Sequence, residues 1–160
     1  MPVMLLNDAA QIEPVTVMLM RLPDHVRARA IRAATVADTL ARQGSSDKMF
    51  LHSLWLGCLY RHLGATLGKS RSKMERIVRE CLSHEKCHKD IVLDIVRNNK
   101  RKNGSLPARL VDFACTLDEM LTQEGKDFDI HTAGYDDDVM ECFRQAQEQI
   151  FGLYRRKNIA

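Results

Sequence analysis

DHVRARAIRAATVADTLARQ, residues 24–43, reads as one amphipathic helix and sets the fold class. Val26, Ile31 (or Ala30), Ala33, Ala34, Ala37 and Leu40 recur at three-four spacing, so they line one apolar stripe. Asp24, just after Pro23, is placed to cap the start, and Gly44 to end the helix. The same period continues outward in both directions. After Ser45 and Ser46, Phe50, Leu51, Leu54, Trp55, Cys58 and Leu59 mark a second helix, with Gly57 as a candidate break and Gly64 and Gly68 as punctuation.

Beyond Lys69 the pattern restarts with Met74, Ile77, Val78 and Cys81, then Ile91, Val92, Ile95 and Val96. Ser72 with Glu75 three residues on has the form of a capping box. The basic loop RNNKRKNGSLP (97–107) ends this run. A further helix carries Leu110, Val111, Ala114, Leu117, Met120 and Leu121 up to Gly125, and KDFDIHTAGYDDD (126–138) reads as a loop. Val139, Phe143, Ala146, Ile150 and Leu153 give a last helix, which Asp136 to Asp138 are suited to cap. Only residues 1–22, with VTVMLM between Pro14 and Pro23, read as non-helical, a strand or an apolar flap over the core. The expected fold is all-α, a single domain (1–160) of six or seven helices, with Trp55 and the methionines in its core.

At 160 residues, 45% apolar and 28% charged, the chain has the composition of an ordinary globular domain, which excludes collagen-like, disordered and polybasic-tail classes. Five cysteines, at 58, 81, 87, 115 and 142, are an odd number and do not suggest a disulfide framework. The start, MPVMLLNDAA, lacks the basic head and long apolar stretch of a secretory signal. Val15 to Met20 is too short to span a bilayer. The expectation is a reduced, cytoplasmic protein with no membrane partner.

The net charge of +3 conceals an asymmetry. Residues 69–109 hold twelve basic and five acidic side chains, while residues 110–160 hold five basic and eleven acidic. A local surplus of seven is the footprint that phosphate neutralisation requires.

The surplus opens with YRHLGATLGKSRSKMERIVR, residues 60–79, which resembles the helix-turn-helix of bacterial DNA-binding proteins. Gly64 supplies the small residue inside the first helix, Gly68 the turn, and Leu63, Leu67, Met74 and Ile77 the apolar flanks. The resemblance implies a recognition helix presenting Ser70, Arg71, Ser72, Lys73, Arg76 and Arg79 to the major groove. It implies guanine contacts from Arg71 and Arg76, and phosphate contacts from Lys69, Ser70, Lys73 and Arg79. Lys100, Arg101 and Lys102 would add backbone contacts. It also implies a DNA-binding transcriptional regulator, dimeric by the logic of paired half-sites, with the acidic helices of 110–160 serving dimerisation or a protein partner.

Two other readings stay open. One is a helical protein–protein interaction module without nucleic-acid binding. The other is a zinc hydrolase: His84, Glu85 and His88 satisfy H-E-x-x-H, in which two imidazoles four apart on a helix hold zinc and the glutamate activates its water. Cys81 lies on the same helical face, and His131, Asp127 or Asp129 are candidate third ligands. A structural zinc site from Cys81, His84, Cys87 and His88 would need a chain break near Ser83, because one continuous helix cannot surround an ion tetrahedrally. The default expectation is neither catalysis nor a cofactor. GATLGKS (64–70) has three residues between its glycines, where a phosphate-cradling P-loop has four.

Overall fold

A computed structural model of the chain describes residues 14–68, 70–97, 104–123 and 135–159. Seven α-helices occupy them: α1 Pro14–Leu19, α2 Asp24–Ala41, α3 Lys48–Leu67, α4 Arg71–Cys81, α5 Lys89–Arg97, α6 Leu106–Gln123 and α7 Asp137–Ile159. A single 3-10 turn, Leu82–His84, follows α4. The all-α expectation holds, and among the described residues no helix is long and apolar enough to cross a membrane.

The segment quoted first is the hub. α2 buries Ala30, Ala33, Ala34, Val36, Ala37, Leu40 and Ala41. This small-residue surface packs against α3, α6 and α7 together. Alanine permits three neighbours to approach one helix, and the larger side chains of those neighbours fill the space between. Of the two alternatives for the stripe, Ala30 faces inward and Ile31 is 42% exposed. Pro23 takes the N-cap position, so Asp24 lies in the first turn and pairs with Arg27 instead of capping. Trp55 is half-buried against the core and Met74 is buried, but Met20 and Met49 are exposed.

Two expectations are corrected. Residues 14–19 are helical rather than a strand or irregular flap, while residues 1–13 lie outside the described residues. The physical reason is that Val15 and Leu19, four apart, both turn inward, and α1 packs on α3. A helix satisfies its own backbone there, whereas a strand would need a partner, and the described residues contain none. Gly57 does not break α3, which runs unbroken for 20 residues. Its function is steric: a Cβ at Gly57 would lie 2.6 Å from Cδ1 of Ile95, so the missing side chain lets α5 lie close against α3.

The ends of α3 follow local chemistry. Asp47 accepts a hydrogen bond from the Met49 amide at 3.0 Å. Gly68 closes the helix at φ 65°, with its N–H directed to the Gly64 carbonyl, a conformation a side chain would strain. The start of α4 is set two residues earlier than the capping box suggests. Ser70 is the cap, 3.3 Å from the Lys73 amide, and Glu75 pairs with Arg97 of α5 instead of reaching back to Ser72.

Candidate functional site

The helix-turn-helix-like segment forms two packed helices joined at Gly68. α4 packs on α3 and α5, burying Met74 and Val78 and half-burying Ile77. A Cβ on Gly64 would meet Met74 Cγ at 2.9 Å, so the small residue lies where the helices approach. Ser70, Ser72, Lys73, Arg76 and Arg79 are all exposed. Among the described residues no ion pair engages Lys73, Arg76 or Arg79. Lys69, the Arg71 side chain, Lys100, Arg101 and Lys102 lie outside the described residues, as do Asp127, Asp129 and His131. The first helix of this pair is the end of the long α3, which continues without interruption from Lys48 through Tyr60 to Leu67.

The HEKCH segment is not helical. α4 stops at Cys81, the 3-10 turn ends at His84, and Glu85 has extended backbone. The break near Ser83 is therefore present, but His84 and His88 do not share a helix face. Cys81 is met by Tyr60, His84 is exposed, and Cys87 is half-buried. Glu85 Oε1 lies 3.0 Å from His52 Nε2, and the His88 amide donates to buried Ser53 Oγ at 2.7 Å. Among the described residues, Cys81, His84, Cys87 and His88 form no ligand group.

The ligand group that does form is Cys58, His62 and Cys115, whose ligand atoms lie within 4.8 Å of one another. Cys58 and His62 are one turn apart on α3, and Cys115 comes from α6. Cys58 is fully buried, and the other two are half-buried. His62 Nδ1 donates to the Cys58 carbonyl at 3.0 Å, and its Nε2 lies 3.9 Å from Cys115 Sγ. The hydrogen bond from the Cys58 thiol holds the Cys115 thiol well below its ordinary pKa; His62 and Arg61 add to this against the cost of burial. The same hydrogen bond, and then burial, push Cys58 well up. Burial pulls the His62 imidazole down, but its hydrogen bond with Cys115 and that group's charge outweigh it and leave it raised. These shifts run in opposite directions within one contact set: Cys115 is pushed toward its charged form, Cys58 away from it, and His62 toward its charged form. Such a set can ligate a thiophilic metal or act as a nucleophile.

Two arginine–carboxylate pairs frame the cluster. Arg61 donates to Asp112 at 2.8 Å, and Asp112 also accepts from the Tyr135 hydroxyl at 3.1 Å. Arg61 Nη1 is buried without a hydrogen-bond partner among the described residues. Arg32 Nε donates to Asp118 at 2.9 Å, and the Tyr154 hydroxyl donates to the same carboxylate at 2.6 Å. A groove of about 160 Å³ between α2 and α7 passes over Arg32 and Tyr154. Two of the three residues were open to sequence reading, since Cys58 and His62 stand at helical i, i+4 spacing. Cys115 joins them only through the packing of α6 on α3.

Comparison with protein-family models, with curated proteins and with solved structures returned no match, so the functional reading rests on this chain's own residues.

Proposed function

We propose that the chain is a DNA-binding regulator that contacts duplex DNA through α4. The observation that carries this reading is the basic outer face of α4, where Lys73, Arg76 and Arg79 are exposed without an ion pair among the described residues. Its inner face is anchored by Met74 and Val78, so the helix presents these cations on a fixed support. Ser70 at the N-cap places the helix amino terminus, with its partial positive charge, at the Lys73 end of this face. In this reading Arg76 meets base edges, since its planar fork matches the guanine acceptor pair, and Lys73 and Arg79 meet phosphates. A homodimer would present two such helices to successive half-sites.

The test is duplex-DNA binding by fluorescence anisotropy across a salt series. The association constant should fall steeply with salt, with a log–log slope of about −0.9 for each phosphate neutralised. Lys73→Ala and Arg79→Ala should each shallow that slope by about one. Arg76→Ala should also relax sequence preference. Absence of binding at low salt, or a triple variant with the parent's affinity and slope, overturns the reading.

A further inference from the structure

We propose that Cys58, His62 and Cys115 form a three-ligand zinc site in the interface between α3 and α6. The site is separate from the DNA reading of α4 and does not depend on it. Zinc binds thiolate sulfur at about 2.3 Å and imidazole nitrogen at about 2.0–2.1 Å. At tetrahedral angles, sulfur and nitrogen on a shared zinc then stand about 3.5 Å apart, and two sulfurs about 3.8 Å. Cys115 Sγ and His62 Nε2 are 3.9 Å apart, and all three ligand atoms fall within 4.8 Å of one another, so an ion would draw the groups inward by up to about 1 Å.

The imidazole is also held as a ligand is held. Its Nδ1 donates to the Cys58 carbonyl, which fixes the ring and turns Nε2 toward Cys115, where loss of its proton would free it to ligate. A carbonyl partner on the far nitrogen is the usual support of a metal-bound histidine. Two elements contribute ligands, so the donors converge from different directions, which Cys81, His84, Cys87 and His88 fail to do.

The identity of the ion follows from donor type and charge. Two sulfurs select against calcium and magnesium, which require oxygen. With both thiols deprotonated, a divalent ion and a neutral imidazole bring the site to zero charge. The neighbouring Arg61–Asp112 and Arg32–Asp118 pairs are already balanced, so a divalent ion leaves no net charge in this half-closed interior. Monovalent copper would leave one uncompensated negative charge. Three protein ligands leave zinc's fourth position to a group from outside the triad, and the half-buried side of His62 and Cys115 is where it would enter.

The test uses the full chain, purified under reducing conditions, stripped with chelator, and reloaded with Zn²⁺ alone. After gel filtration against a weak competing chelator, elemental analysis should find one zinc per chain. Cys115→Ser and His62→Gln should each lower retained zinc at least tenfold, while Cys87→Ser and His84→Ala leave it unchanged. Co²⁺ loaded into the unmodified chain should give intense thiolate-to-cobalt absorption, a readout that stands even if a variant misfolds. Lack of retained zinc, absence of that absorption, or full occupancy in a folded Cys115→Ser protein overturns the site. So does a Cys58–Cys115 disulfide found in the zinc-loaded protein.

Discussion

The arginines around α6 and the cations of α4 face opposite circumstances. Arg32, Arg61 and Arg109 each reach a carboxylate from the acidic last third of the chain: Asp118, Asp112, and the pair Asp136 and Asp138. Lys73, Arg76 and Arg79 reach none among the described residues. The acidic third is therefore not a counter-surface for the α4 cations. Several of its charges are engaged by α2, α3 and the first turns of α6, while α4 packs on α3 and α5. Equal charges along the sequence thus serve unlike roles, internal pairing in one region and an outward electrostatic face in the other.

The largest effect that could break this contrast lies at Asp118, which is 1% exposed. Asp118→Ala would leave Arg32 and the Tyr154 hydroxyl without their shared acceptor. Breaking a buried pair from one side costs about 3–5 kcal/mol. Urea unfolding should show that loss, whereas the triple variant Lys73→Ala/Arg76→Ala/Arg79→Ala should move stability by only about 0.5 kcal/mol per site. A comparable loss in both proteins would mean that the α4 cations have internal partners after all.

A second contrast, smaller in energy, separates the two glycines of α3. At Gly57 an added Cβ meets three atoms of Ile95, at 2.6, 3.0 and 3.1 Å, including its branched Cβ. Overpacking of this kind costs about 1–3 kcal/mol, against a helix-propensity gain of about 1 kcal/mol. Gly57→Ala should therefore destabilise, and Ile95→Val, which deletes the nearest atom, should recover part of the loss in a less-than-additive double variant. At Gly64 the nearest atom is Met74 Cγ at 2.9 Å, in a side chain able to change rotamer. Gly64→Ala should cost stability in a thermal melt, because buried Met74 must move its γ carbon, but less than Gly57→Ala does. A larger cost at Gly64 than at Gly57 would show that the α3–α4 contact is the more rigid one.

These glycines also show what a sequence can carry. Apolar period located the long helices, although α3, buried at Ser53, Leu54, Leu56, Gly57, Cys58, Leu59 and Tyr60, is enclosed on nearly all sides and not along one stripe. A glycine inside such a period has two meanings, a break or a notch, and only the partner, here Ile95, decides between them. The segment SHEKCHKD (83–90) has no apolar residue at helical spacing apart from Cys87, which is consistent with its departure from the helix. The H-E-x-x-H letters stand without the continuous helix on which that signature places its two histidines. The basic face of α4 was legible, since exposure there follows from charge and period alone. The cysteine–histidine cluster was legible only to the extent of Cys58 and His62. Cys115, 53 residues after His62, enters through tertiary packing, and no local pattern announces it.

The smallest expected effect tests the paired region at its exposed edge. Arg109 Nη1 lies 2.9 Å from Asp136 and 2.8 Å from Asp138, bridging α6 to the start of α7. The hydrogen bond from Arg109, aided by the Val139 amide and opposed by slight burial, holds the Asp138 carboxyl below its ordinary value. A carboxyl with a depressed folded-state pKa binds its proton more readily when unfolded. Its stabilisation is therefore fully present above the unfolded value of about 3.9 and is lost as pH falls through the folded one. Because both aspartates are about half exposed, solvent screening limits the pair to about 0.2–1 kcal/mol. Arg109→Met should thus be less stable than the parent at neutral pH, with the gap closing in acid as the carboxyls protonate, and added salt should narrow it at neutral pH. The Arg32–Asp118 pair, shielded from solvent, should resist the same salt. A gap at Arg109 that ignores salt would place that pair with the interior rather than at its edge.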